Sequence, residues 1–282
     1  MQPVFSVDFL SLFHNLGNIK LTCFTITHPP MKRLILLFVT ILAFSACSRQ
    51  KTDIIWSDEF NYNGLPDRTK WGYDTGYIAN NEKQYYTPAR IENALVSNGN
   101  LMIIGRKEKM KGFAYTSARL ITLGKFDFLY GRAEARMRLP AGKGIWPAFW
   151  MLGSDITTVG WPKCGEIDIM EHINNVPVLY GTAHWDNKGH VQSGGTTPCD
   201  VTQFHDYGLE WTPDSVRWLL DGKRYYAFSI KDSVNNTSPF HRPQHLLLNL
   251  AIGGDWPGDP DSTTVFPDTV FVDWVRVHKP VK

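Results

Sequence analysis

Three acids fall within six positions in the segment Gly165-Glu-Ile-Asp-Ile-Met-Glu-His172, and they are the residues of this 282-residue chain best placed to do chemistry. Glu166 and Asp168 are two apart, so an extended strand points them to one face. Strict alternation would send Glu171 to the other face. One extra residue in the strand, a β-bulge, returns it to the carboxylate side. Crowding three acids on one face is electrostatically costly, and perturbed acids of this kind cluster where function needs them. Two glutamates flanking a scissile bond, with an aspartate between, suit glycoside hydrolysis with retention, which needs a nucleophile and an acid/base about 5–5.5 Å apart. The competing reading is a strand whose charged face is merely solvated.

The elements needed to hold such a strand are visible along the chain. Short apolar or alternating runs recur from about residue 53, including Leu101–Ile104, Tyr130–Leu139, Ser215–Leu220 and Thr269–Val277. In Tyr130–Leu139, Ala133, Ala135, Met137 and Leu139 alternate with Arg132, Glu134, Arg136 and Arg138. Asn98-Gly99, Asp221-Gly222 and Gly253-Gly254 are turn signals, and Asp221-Gly222 sits between two strand-like runs as a hairpin turn should. No long stretch carries a helical period, so the pattern predicts an all-β sandwich. The chain holds 10 Trp, 11 Tyr and 16 Phe, with every tryptophan between Trp56 and Trp274. Such aromatics serve either as sugar-stacking platforms or as bulky core.

The N-terminal region reads as targeting sequence. Residues 31–46 combine a basic start (Lys32, Arg33), an apolar stretch and small residues before Cys47, the plan of a secretory signal. Cys47 after Ser45-Ala46 resembles a bacterial lipoprotein signal, with Phe44 where leucine is usual, so lipidation of Cys47 is expected. Residues 1–30 read as an upstream extension ahead of the better start at Met31, 47–53 as a tether, and 54–280 as one catalytic domain. Removing residues 1–46 takes three basic and one acidic residue from totals of 29 and 27 and leaves 26 of each. A neutral chain has no electrostatic footprint for nucleic acid, and a neutral glycan suits it better than a sulfated one. Cys164 and Cys199 either pair or stay as buried thiols, and their spacing matches no metal motif.

Several further segments, in this order, resemble glycoside hydrolase family 16, in particular its laminarinase-type β-1,3-glucanases. They are Trp56-Ser-Asp-Glu-Phe60, Asn98-Gly-Asn-Leu101, Tyr115-Thr-Ser117, Gly144-Ile-Trp-Pro-Ala-Phe-Trp-Met-Leu-Gly153, Trp161-Pro-Lys-Cys-Gly-Glu-Ile-Asp-Ile-Met-Glu-His172, Gly181-Thr-Ala-His184, Leu247–Gly258 and Val272-Asp-Trp-Val-Arg276. The resemblance implies a β-jelly roll of two antiparallel sheets whose concave face forms an open glycan cleft. It implies Glu166 as nucleophile, Glu171 as acid/base, and Asp168 between them, hydrogen-bonded to Glu166. The additional Met170 resembles the branch acting on β-1,3-glucans and some galactans.

Around the acids, Trp146 and Trp150 share a strand face and are candidate sugar platforms, with a core position the alternative for Trp150. Trp161, in the loop before the acidic strand, is the better cleft candidate. The resemblance places His184 near the nucleophile or the next sugar, and Asn80 in a loop contacting sugars on the non-reducing side. Trp256 either borders the cleft or packs beneath its turn. It further implies a structural calcium ion at Glu59, Gly99 and Asp273, the mechanism itself requiring no cofactor. The expected partners are a polysaccharide substrate and, through the lipid on Cys47, the outer membrane, with no nucleic acid and a monomeric chain. A galactan-directed hydrolase and a non-catalytic glycan-binding protein are the competing functions.

Overall fold

In the computed structural model residues 53–280 are described; the upstream extension, the signal, Cys47 and most of the tether lie outside them. Two large antiparallel sheets face each other. The first runs in the order Lys223–Ser229, Ser215–Leu220, His205–Trp211, Gly131–Arg138, Asp268–His278, Asn100–Gly105, Ala94–Ser97, with Ile54–Asp58 also paired to Asp268–His278. The second runs His190–Pro198, Val178–Asp186, Glu166–Glu171, Ile145–Gly153, Gln244–Ile252, Arg119–Ile121, Gly72–Asp74. This is the all-β sandwich that the alternation predicts. A short parallel pair, Gln84–Tyr86 with Tyr115–Ser117, lies apart from both sheets.

Inward faces fill the space between the sheets. From Gly131–Arg138 come Ala133, Ala135 and Met137; from Ile145–Gly153 come Ile145, Phe149 and Met151; from Gln244–Ile252 come Leu246, Leu248 and Leu250. Burial of this apolar area is the main stabilising contribution. The hairpins turn where glycine and asparagine allow. Asp221 and Gly222 both have positive φ (50° and 74°), as do Asn98 and Gly99 (53° and 73°), the geometry of a two-residue hairpin loop.

The acidic strand carries the irregularity that its sequence implies. Against Ile145–Gly153, Asp168 pairs with Trp150 and Met170 with Phe149, leaving Ile169 without a partner. Against Val178–Asp186 the register also breaks between Asp168 and Glu171. Ile167, Ile169 and Met170 all join the core, so two consecutive residues point the same way and Glu171 returns to the side of Glu166 and Asp168. A bulge interrupts the hydrogen-bond ladder, and the Asp168 carbonyl there accepts a bond from Trp218 Nε1 of the other sheet at 2.7 Å. Gly181 on the adjoining strand makes room, since a Cβ there would sit 2.3 Å from the Trp218 ring.

Deleting Met170 should leave a regular strand in which the last glutamate alternates onto the same face as Glu166 and Asp168. The expected result is a folded protein, less stable by about 2–4 kcal/mol for the lost core side chain, with all three carboxylates still facing one side. Melting curves and a crystal structure of the variant check this; a final glutamate turned into the core would contradict the bulge argument.

Candidate active site

Outward-facing residues of the second sheet build a cleft of about 380 Å³. Trp146, Ala148, Trp150 and Leu152 line it from one strand, Glu166, Asp168 and Glu171 from the next, Asn249 and Ala251 from the strand on the other side, and Arg119 from beyond. The floor is therefore the solvent side of four adjacent strands whose alternate residues make the core. Asn80 and Glu82 close one end, and Trp161 and Ile156 contribute from the loop before the acidic strand.

Each glutamate has its own tryptophan. Trp161 Nε1 donates to Glu166 Oε2 at 3.1 Å, and Trp146 Nε1 donates to Glu171 Oε1 at 3.0 Å. His184 Nε2 lies 3.1 Å from Asp168 Oδ2 and 4.0 Å from Glu166 Oε1. The nearest atoms of Glu166, Asp168 and His184 fall within 4.8 Å of one another, a spacing that suits proton exchange and that a divalent cation would also accept. The expected Asp168–Glu166 hydrogen bond is not formed. Asp168 Oδ2 lies beside His184 without an aligned hydrogen bond, and Glu166 is oriented by Trp161.

Burial and mutual repulsion lift all three acids. Loss of water, then the charge of Asp168, push Glu166 up to about 8, against the opposing pull of His184, Arg119 and the Trp161 N–H. Burial likewise pushes Asp168 up to about 8. Glu171 is held well above the ordinary carboxylate range by burial and by the charges of Asp168 and Glu166, with the Trp146 N–H opposing. Glu171 is 8 % exposed, whereas the Glu166 side chain keeps 18 %. The arrangement holds a proton more tightly on Glu171 than on Glu166, the order that two-carboxylate hydrolysis requires.

The aromatic candidates assemble here. Trp161 is 49 % exposed and lines the cleft. Trp150 is not core: it faces the cleft, donates to Asn249 Oδ1 at 2.8 Å, and carries the Arg119 guanidinium 4.6 Å above its ring. Trp256 borders the site by packing edge-on against Trp146 (5.4 Å) and Tyr180 (4.9 Å). Asn80 reaches Glu82 Oε1 at 3.3 Å.

Sequence reasoning missed Arg119, Glu82, Asn249 and His190. Glu82 is a buried acid raised by desolvation and held by Gln84, Tyr86 and Asn80. Tyr86 in turn accepts from Asn249, so one chain of hydrogen bonds ties Trp150 to the Asn80 loop. Arg119 stands two residues beyond the Tyr115-Thr-Ser117 segment, the one local signal that pointed to it.

Away from the cleft, Cys164 and Cys199 are separate buried thiols, with burial pushing both up to about 11, which leaves them inert. Strand register places Glu59 and Gly99 on either side of the middle of Asp268–His278, near Asp273. The Glu59 carboxylate gives both oxygens to Arg276 (2.9 and 2.7 Å), and Asp273 lies 3.3 Å from Arg136. These donors fit a hard cation through the Asp273 carboxylate and the main-chain carbonyls of Glu59 and Gly99, with Arg136 as its competitor. An ion there would serve structure, on the sheet opposite the acids.

A carboxyl whose folded pKa lies above its unfolded value binds more protons when folded, so its stabilising contribution is complete below about pH 4 and is lost as pH rises toward 8. Glu166→Gln should therefore gain on the wild type as pH rises from 5 to 8, by about 1–2 kcal/mol given the remaining solvent access. Thermal melts at both pH values check this; a difference in Tm that does not grow with pH would contradict the crowding argument.

Comparison with known proteins accords with this geometry. The profile for "Glycosyl hydrolases family 16" matches residues 81–276. A "Beta-glucanase" from Rhodothermus marinus is 44 % identical over 275 residues, covering 88 % of this chain and 95 % of that protein. A "Glucan endo-1,3-beta-glucosidase" from Cryptopygus antarcticus is 39 % identical, covering 85 % and 96 %. Among solved structures, the laminarinase from Rhodothermus marinus superposes with a TM-score of 0.77 at 45 % identity, covering 82 % of this chain and 98 % of that one. With the acidic strand, its bulge and its tryptophan donors inside the matched span, this chain belongs to glycosyl hydrolase family 16.

Proposed function

We propose that the protein is a retaining endo-glycosidase that cleaves β-1,3-glucan, and mixed β-1,3/1,4-glucan as well, by double displacement. The observation that carries this reading is the pair Glu166 and Glu171 on one face of one cleft, each held by the indole of a cleft tryptophan. Glu166, kept ionisable by the Trp161 N–H and the positive field of Arg119, attacks the anomeric carbon and forms a glycosyl-enzyme. Glu171 donates its proton to the departing glycosidic oxygen. It then removes a proton from the water that releases the sugar, and attack on the same face twice retains configuration. Asp168, between them, keeps negative charge beside both and thereby sustains the proton on Glu171. Trp150 and Trp161 offer indole faces for pyranose stacking, and Asn80, Asn249 and Arg119 supply polar groups at the other side of the floor.

The net-neutral mature chain supports a neutral glycan, and the Trp161-Pro-Lys-Cys-Gly165 segment resembles the glucan-directed branch. We further propose export and lipid anchoring at Cys47 in the outer membrane, supported by the plan of residues 31–47 and by Ser48 after the cysteine. Among the described residues no helix is long and apolar enough to cross a membrane. Antibody or protease labelling of intact cells would report the protein at the surface if the anchor faces outward.

Purified residues 48–282 should release reducing sugar from laminarin and barley β-glucan, with little from agarose. Release from agarose alone would replace glucan by galactan, and binding without release would make the protein a lectin. Glu166→Gln should lose at least about a thousandfold in kcat while still folding. Glu171→Gln should recover most on aryl glycosides with good leaving groups, which need little acid assistance. Absence of any recovery would remove Glu171 from its role.

A further inference from the structure

One group beside the acids has no part in the mechanism above. His190 begins the edge strand His190–Pro198, and its Nε2 lies 2.9 Å from His184 Nδ1. His184 stands opposite Gln192, so the two histidines are a diagonal cross-strand pair. Their rings lie 5.2 Å apart at 23°. On its other side the His190 ring is 4.6 Å from Trp161, tilted at 47°. Trp161 holds one oxygen of Glu166 and His184 approaches the other, so His190 touches both arms that embrace the nucleophile.

Proton counting gives this contact a direction. A neutral imidazole carries one N–H, and a short contact between two ring nitrogens contains one proton. His184 Nε2 lies 3.1 Å from Asp168 Oδ2 and 4.0 Å from Glu166 Oε1, and above the raised range of these acids both are ionised and can only accept. Neutral His184 must then carry its proton on Nε2 and leave Nδ1 bare, and the N–H in the contact must belong to His190 Nε2.

From this geometry we infer that His190 is a positioning residue: it donates from Nε2 to His184 Nδ1 and so fixes the Nε2–H tautomer of His184 beside Asp168 while bracing Trp161. The inference deepens the glycosidase reading and rests on it for its kinetic consequence, but the tautomer can be observed without any substrate. The charged and titratable groups around His184 are Glu166, Asp168 and Glu171 of the acidic strand, His190 of the edge strand and Arg119 from across the cleft. Burial holds His190 below its ordinary range, which keeps it a neutral donor near pH 7.

The test is long-range ¹⁵N–¹H correlation of histidine-labelled protein at pH 9, where Glu166 and Asp168 are ionised, wild type and variants, alongside kinetics on laminarin. Wild-type His184 should appear as the neutral Nε2–H tautomer with a hydrogen-bonded Nδ1. His190→Phe keeps a ring against Trp161 and deletes the donor. It should release His184 into mixed tautomers, lower kcat by about three- to tenfold with KM little changed, and displace the acidic limb of the kcat/KM profile. His190→Gln, whose amide N–H₂ can reach Nδ1, should restore both spectrum and rate. A wild-type His184 protonated on Nδ1, or a His190→Phe variant with unchanged spectrum, kcat and pH profile, overturns the inference. If the expected tautomer is seen but no tested glucan is cleaved, the pairing stands and the substrate assignment falls.

Discussion

Everything at the site depends on the bulge at Ile169 and Met170. A strand of period two cannot place acids at 166, 168 and 171 on one face unless one residue is added to the inward side. The addition breaks the ladder, and a buried carbonyl left without a donor costs about 1–3 kcal/mol. The Trp218 indole, reaching from the opposite sheet to the Asp168 carbonyl, offsets that cost. The same bond ties the sandwich's two layers together at the position from which the carboxylates project, so the core of the fold and the geometry of the cleft share one hydrogen bond.

The inward side of the bulge supplies what the outward side spends. Ile167, Ile169 and Met170 are buried apolar groups, each contributing on the order of 1.5–3 kcal/mol. Their neighbours Glu166, Asp168 and Glu171 are acids raised far from their ordinary range, a state that weakens the fold as pH rises. A stable sandwich can carry such a destabilised patch, and the patch persists because the surrounding strands leave it no freedom to relax. The stability lost at the acids is the physical form of readiness for proton transfer.

Much of this was legible in the residues. Strand period, hairpin turns and the extra residue are local properties, so the all-β class, the 131–138 alternation and the common face of the three acids could be read from short windows. The placement of Trp146 and Trp150 followed from the same period. Arg119, Glu82 and Asn249 could not be read in that way, because their meeting depends on register between strands more than a hundred residues apart in part of the chain. The missing Glu166–Asp168 bond has a different origin. Spacing says that two acids are neighbours but not which of them finds a proton donor, and that was decided by Trp161 arriving from another element to serve Glu166.

In the proposed mechanism, chemically identical side chains in one cleft acquire opposite roles through their flanks. Each glutamate accepts one indole N–H, so those two bonds nearly cancel in the comparison. What remains is asymmetric. Glu166 feels Arg119 and keeps a share of solvent, both of which favour the anion. Glu171 is more buried and faces the charge of Asp168 and then of Glu166. When Glu166 becomes an ester in the proposed glycosyl-enzyme its charge disappears, and one source of repulsion on Glu171 goes with it. The acid that has just given up its proton can then stay ionised long enough to take one from water. The alternation of roles in double displacement follows from the repulsion between the carboxylates and needs no movement of the strand that carries them.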